Sequence, residues 1–494
     1  MNRIVTFFRT LSIKWYLAVV LAIGALARLV FITKADIWHD EGYTMMITGF
    51  NPIEIIERTA RDVHPPLYYL ATHFWQLLFG TSELATRSFS AACGLVTIVV
   101  AYLLMRKLFT EGTARLSALF IALGPFAIRY SDEARMYGMA AMLVVIATYL
   151  IVRIATSKCA SYKLWLLYAL VIAAGLYTHY YTLFIIPAHI VYLAYVRGGI
   201  MPLLRDKKWW FGHLLAALLF VPWLPSAFAQ VTRVSAGFWI PPVNAETVPN
   251  TFMQFLAFAP SWAYSGWIAG ILITLFVAGI IRTFMISKRT VRTGIVLLTS
   301  WLVLPLAIVM LVSIARPVYY DRYFIYCAVA MYLLLAVVVT QCDVLKKRRT
   351  LQTITIGLLI CTFVYGVFSV GAQATHRMGM IGNYVTKYYQ PGDKIVSAEL
   401  YTYFDFSYYN RTNQPTLLLS KDRLTGYGET SLLYDRQDEI VVHSLDDITD
   451  TRRVWLVGKT GDHDYFTNVP KNWHFVMQLE AGDSALHLFT LTPR

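Results

Sequence analysis

Apolar residues dominate this chain in long blocks, and polar residues are confined to the gaps between them. A helix rises 1.5 Å per residue, so about 20 apolar residues span the ~30 Å hydrocarbon core of a bilayer. Such blocks lie at 14–33, 84–105, 113–130, 137–154, 162–179, 181–197, 210–228, 262–282, 294–314, 322–342 and 351–371. They predict about 11 membrane-crossing helices. The gap from 34 to 83 is unlike the rest. In "NPIEIIERTARDV" Ile53, Ile55 and Ile56 oppose polar residues, the pattern of a short helix lying in the membrane interface. "HPPLYYLATHFWQLLFG" follows as a second amphipathic, aromatic segment, interfacial or re-entrant; read as a true span it would make the count even. Beyond residue 371 the pattern shortens. "PGDKIVSAELYTYF" reads as a turn, an apolar strand, then a helix or strand, and "EIVVHSL", "RRVWLVGKT" and "SALHLFTLTPR" read as strands between turns. The fold class expected is a polytopic α-helical membrane domain over 1–371 and a small α/β or α+β domain over 372–494.

Composition agrees: 57% of the 494 residues are hydrophobic and 15% charged, where a soluble domain carries about a quarter charged. The net charge of +14 would suit nucleic acid if it formed one surface. It does not. Residues 372–494 hold 12 Lys and Arg against 15 Asp and Glu, so the excess lies in the apolar part, in loops such as Arg106/Lys107, Lys158/Lys163, Arg205–Lys208, Lys288–Arg292 and Lys346–Arg349. Basic clusters in alternate loops mark the cytoplasmic side. The expectation is a multi-pass cell-membrane protein with a cytoplasmic N-terminus, an extracytoplasmic C-terminal domain and no nucleic-acid partner. Arg3, Arg9 and Lys14 before an apolar run, with "ALA" at 25–27, mimic a secretion signal, but the run continues through Phe31, which predicts an uncleaved first helix. None of the five cysteines lies in 372–494, so no disulfide framework is read there.

On this topology eleven acids fall outside: Asp36, Asp40, Glu41, Glu54, Glu57, Asp62, Glu83, Asp132, Glu133, Glu246 and Asp321. The basic residues beside them, Lys34 apart, are all arginine: Arg58, Arg61, Arg87, Arg129, Arg135, Arg233, Arg316 and Arg322. Arginine's planar fork suits bidentate contact with phosphate better than lysine's point charge. Three clusters stand out: "WHDEGYT" (38–44), "YSDEARMYG" (130–138) and "RPVYYDRYF" (316–324), with His64 held by two following prolines. A carboxylate at such a boundary can act as general base toward a hydroxyl or amine, while arginines neutralise a leaving phosphate. Transfer from a phosphate-activated donor in the bilayer fits those parts. Ordinary loop charges, helix caps and interfacial aromatic belts are the bland alternative. A divalent cation is a further option, with His64 and Glu41 as ligands, although no HExxH or CxxC spacing supports it.

"WHDEGYT", "HPPLYY", "LFGTSELATRSFSAACGLVTIVVAYLLMRKLF" and "YSDEARMYG" resemble the N-terminal half of the GT-C glycosyltransferases, within them the protein O-mannosyltransferase and lipid A aminoarabinose transferase group. The resemblance implies a membrane enzyme that uses a polyprenyl-phosphate-linked sugar on the outer face of the membrane. It implies a catalytic base at Asp40, with Glu41 or Glu133 positioning acceptor or cation and Asp132 the second match to the acid of the second loop. Arg322 and Tyr323, with Arg316 and Tyr320 behind them, and Arg135 fall to the donor phosphate. Trp38, His64, Asp132 and Tyr137 fall to the acceptor side of the cleft. The acceptor class stays open among lipid, glycan and protein, and no cofactor beyond the optional cation is implied. The rivals are a lipid-linked-sugar flippase or transporter, whose charges would sit at the membrane midplane on broken helices, and a binding scaffold without turnover.

Overall fold

The computed structural model describes residues 12–157, 159–234, 240–259, 263–461 and 466–492, with the backbone alone at 234, 343 and 346. Arg3, Arg9 and Lys158 of the basic clusters lie outside the described residues. The chain forms two compact units, one from 1–31 with 87–371 and the other from 32–86 with 372–494.

Every predicted apolar block in the first unit contains a helix. Among the described residues, seven helices are long and apolar enough to cross a membrane: Glu83–Leu108, Tyr137–Thr156, Lys207–Arg233, Gly266–Ile286, Arg289–Ala315, Asp321–Gln341 and Arg349–Ala372. Ile13–Leu29, Glu111–Leu123, Tyr162–Thr178 and Ile185–Arg197 are shorter. This is a polytopic α-helical membrane protein. The helix Ile325–Gln341 is buried along nearly all its length, whereas Gly266–Ile286 leaves Trp267, Ile271, Leu275 and Ile281 exposed. Exposed apolar rows on a helix whose backbone bonds are all internal are what hydrocarbon requires. Helix Glu111–Leu123 stops at Gly124, and Pro125 starts the short helix Pro125–Arg129 at the position where a missing N–H costs nothing.

The second unit is built on a six-stranded sheet: β1 (Lys394–Ser397), β2 (Thr416–Leu419), β3 (Val441–Val442), β4 (Arg453–Lys459), β5 (Trp473–Ala481) and β6 (Ser484–Leu491), in the order β3-β2-β1-β4-β6-β5. The first four strands in that order run parallel, and β6 and β5 are antiparallel. Central β4 reads as a continuous apolar run because both its faces are covered. Val454 and Leu456 enter a core with Phe489 and Trp473, while Trp455 and Val457 enter one with Met378, Ile381 and Phe406. That second core is roofed by the helices Met378–Tyr388 and Leu400–Tyr409. The strand expected over "EIVVHSL" shrinks to Val441–Val442, because Gln437–Ile440 forms a helical turn.

The first connection packs on this sheet domain. Its helix Pro52–Arg61 starts in a full capping box between Asn51 and Glu54, a device that satisfies two end N–H groups at once. Arg58 then donates to the Ser431 carbonyl (2.8 Å) and to Asp435 (2.7 Å). The helix Leu67–Phe79 is 13 residues long, about 20 Å, which falls short of a crossing.

Candidate active site

The stretch "WHDEGYT" is not a loop. Trp38 precedes a helix, His39–Ile47, whose first turn carries Asp40 and Glu41, where the helix dipole favours negative charge. Adjacent helix positions point about 100° apart, and the two carboxylates part accordingly. Glu41 is fully buried and Asp40 partly exposed. Gly42 sits against backbone: a Cβ there would lie 2.8 Å from the Phe404 carbonyl carbon. His39 meets Glu429, Nε2 to Oε1 at 2.7 Å, with the Tyr401 ring edge-on at 4.3 Å. Burial works against charge on His39, but the hydrogen bond to Glu429 and the charges of Asp40 and Asp405 outweigh it and raise its pKa. Among the described residues the only group of three or more side chains able to share a cation is His39, Asp40 and Glu429; His64 and Glu41, the ligands expected from sequence, are not in it. His64 is partly exposed ahead of helix Leu67–Phe79.

In the first unit "YSDEARMYG" forms a tight turn between Pro125–Arg129 and Tyr137–Thr156. Glu133 is buried and paired with Arg129 at 2.5 Å. Asp132 is buried with neither oxygen hydrogen-bonded to any described residue. Burial pushes its pKa well above the usual carboxylate range, against the pull of Arg28, Arg129 and Arg87. Arg28, a buried arginine of the first helix that the reading of the loops passed over, donates to Ser131 Oγ (2.8 Å) and to the Gly24 carbonyl (3.0 Å). Gly94 makes its room, since a Cβ there would come within 2.7 Å of Arg28 Nε. A lone arginine inside an apolar run was the available signal.

The third cluster joins this turn. Arg322 donates to Tyr320 Oη (2.7 Å) and lies 4.4 Å over that ring. Tyr323 packs on His179 (5.0 Å) and faces Tyr137 (6.2 Å), and Arg135 stands within electrostatic reach of His179. Tyr130 feels Asp321 and Arg322 from one loop and Glu133 and Arg129 from the other. Asp132, Glu133, Arg135, Tyr137, Tyr320, Arg322 and Tyr323 are thus brought together. Arg316 is not: it is exposed just beyond helix Arg289–Ala315. Asp40, Glu41, Trp38 and His64 belong to the other unit.

A family model described as dolichyl-phosphate-mannose-protein mannosyltransferase matches residues 63–225, which hold "HPPLYY" and "YSDEARMYG". ArnT from Cupriavidus metallidurans in the apo state superposes with a TM-score of 0.64 at 13% identity, covering 96% of this chain and 97% of that one. The fold is that of the GT-C glycosyltransferases. The same ArnT bound to undecaprenyl phosphate gives 0.63 at 13% identity, with 97% and 98% covered. The oligosaccharyltransferase AglB from Archaeoglobus fulgidus, in complex with an inhibitory peptide and a dolichol-phosphate, gives 0.50 at 12% identity, with 97% of this chain and 74% of that one covered. No curated protein matches in sequence. The GT-C fold extends over the sheet domain as well, since nearly the whole of both the present chain and ArnT is aligned.

Proposed function

We propose that this protein transfers a sugar from a polyprenyl-phosphate-linked donor to an acceptor on the extracytoplasmic face of the cell membrane, with inversion at the anomeric carbon. Asp40 takes the proton from the acceptor nucleophile as its lone pair attacks that carbon. The bond from carbon to phosphate oxygen breaks, and polyprenyl phosphate leaves carrying the electron pair. Arg135 and Arg322, with Tyr320 and Tyr323, hold the departing phosphate; Glu41 or Glu133 positions the acceptor or a cation; Trp38, His64, Asp132 and Tyr137 line the acceptor's path. The observation that carries this reading is the partly exposed Asp40 in the first turn of His39–Ile47, on a fold shared with an ArnT solved with undecaprenyl phosphate. The acceptor class is lipid, glycan or protein.

The test is donor-dependent transfer by the purified protein in detergent, with a panel of polyprenyl-phospho-sugars and membrane extract, read as release of polyprenyl phosphate. Asp40→Asn keeps the shape and removes the base, so release falls by about 10²–10⁴-fold. Near-normal release by Asp40→Asn sinks the mechanism. Donor binding without release in the wild type returns the protein to the flippase or scaffold reading.

A further inference from the structure

Arg28 takes no part in the transfer step set out above, yet the fold goes to some length to hold it. It lies in the last turn of Ile13–Leu29 and is 1% exposed, in an apolar run where an ionised group is costly unless it is paired. Its partners are fixed. Ser131 Oγ spends its one hydrogen on the carbonyls of Ala127 (2.7 Å) and Ile128 (3.1 Å), so it accepts from Arg28 Nε at 2.8 Å. Nη1 donates to the Gly24 carbonyl of its own helix (3.0 Å) and to the Ala122 carbonyl near the end of Glu111–Leu123 (3.4 Å). One planar fork therefore ties three stretches of chain, a task that lysine's single ammonium does not match.

We propose that Arg28 is a positioning residue for the donor phosphate: through Ser131 it sets the turn that carries Arg135. This rests on the donor-phosphate site of the function proposed above. Glycines shape the joint. A Cβ on Gly94 would stand 2.7 Å from Arg28 Nε and 3.0 Å from Ser131 Oγ, and one on Gly138 would stand 3.1 Å from the Ser90 carbonyl oxygen. The far end of the turn is tethered as well. Ser90 Oγ donates to the Arg135 carbonyl at 3.2 Å, and the Arg135 N–H donates to the Glu133 carbonyl at 2.8 Å. Only Asp132, Glu133 and Ala134 separate Ser131 from Arg135, so a shift at the first passes to the second. Space excludes Arg28 itself as a phosphate ligand. The cavity against Arg28, Gly94 and Ser131 holds about 10 Å³, roughly the room of one water.

The experiment measures binding of polyprenyl phosphate, and its release from polyprenyl-phospho-sugars, by the full chain in detergent. It compares wild type, Arg28→Met, Arg28→Lys, Ser131→Ala, Arg135→Ala and the Arg28→Met/Arg135→Ala double variant. Expected in Arg28→Met is a polyprenyl phosphate Kd raised by about tenfold, with donor KM rising alongside and kcat falling less. Ser131→Ala shows the same split to a smaller degree, and Arg28→Lys, which keeps the charge but not the fork, recovers part of the loss. Arg135→Ala weakens binding at least as much as Arg28→Met. With Arg135 gone there is nothing left to misplace, so the double variant binds within about twofold of Arg135→Ala. A merely structural arginine would multiply the two losses instead. Melting identifies a variant that does not fold. Should Arg28→Met fail, Ser131→Ala, which strands no buried charge, takes its place alone and beside Arg135→Ala. Unchanged Kd in folded Arg28, Ser131 or Arg135 variants, or losses that multiply, overturns the proposal and leaves the transferase reading standing. A wild type that binds polyprenyl phosphate but releases none from any donor overturns the transferase reading alone. A wild type that does not bind it overturns both.

Discussion

Asp40 and Glu41 differ by one position and by almost everything else. The helix turns Glu41 into the interior and leaves Asp40 partly in the open, a division that two adjacent letters could suggest but not assign. Arg322 poses a sharper question, because a phosphate ligand should move binding more than turnover. Arg322→Ala removes a charge-assisted bond worth about 1.5–3 kcal/mol, so donor KM should rise by about tenfold or more with kcat changed less. Donor affinity left intact would make its contact with Tyr320 purely structural. His376 offers a pH test away from the chemistry. Its burial opposes charge, yet Asp405 at 3.2 Å and Asp483 at 2.8 Å raise its pKa to about 10. A raised folded pKa adds stability that is fully present below the unfolded value near 6.5 and is lost as pH rises through about 10. Melting of the wild type in detergent should therefore fall between pH 7 and 10. His376→Gln should melt lower at pH 6 and follow a flatter curve over that range; parallel curves would refute the assignment.

At the scale of elements, what was legible followed from periodicity. Apolar blocks announce their helices because hydrocarbon admits little else, and the amphipathic helix at 52–61 announced itself through Ile53, Ile55 and Ile56 set against polar residues. The His39–Ile47 helix stayed hidden because it is nine residues long with mixed polarity, and two of the contacts that fix it, Glu429 on His39 and Phe404 against Gly42, come from more than 350 positions away. β2 and β5 were missed for a related reason: β2 is only four residues long, and much of β5 is exposed, so neither gives the buried apolar run of β4. The contact that locks His39–Ile47 can be probed at Gly42. An added methyl meets the Phe404 carbonyl carbon at 2.8 Å and its oxygen at 2.9 Å, and main chain cannot swing aside as a side-chain tip can. Gly42→Ala should cost about 1–3 kcal/mol by overpacking. It should also lower release more than it lowers melting temperature, because the displaced helix carries Asp40. Wild-type release and melting in Gly42→Ala would show that the two helices can part without consequence.

The grouping of 32–86 with 372–494 is the feature of the whole molecule that local pattern could not carry, since it depends on pairings across some 300 residues of membrane helices. Its joints are polar and specific. The Gly379 N–H donates to Asp36 at 2.7 Å, the Ile37 N–H to Tyr409 Oη at 2.6 Å, and Tyr409 in turn to Glu83 at 2.6 Å. Each of these leaves a buried or half-buried partner in the first connection that would have to be rehydrated if the tail were absent, and the apolar side of His39–Ile47 would lose Phe404 as well. Helices of nine to 13 residues are marginal alone. A chain ending at residue 371 should therefore insert in the membrane through its apolar helices yet leave 32–86 unfolded. Limited proteolysis of that truncated protein should cut within 32–86 at protease levels that leave the full chain intact, and release of polyprenyl phosphate should vanish with Asp40 still present. Resistance of 32–86 in the truncated protein would mean that this segment folds without its partner, and the carboxyl-terminal domain would lose its claim on the candidate base.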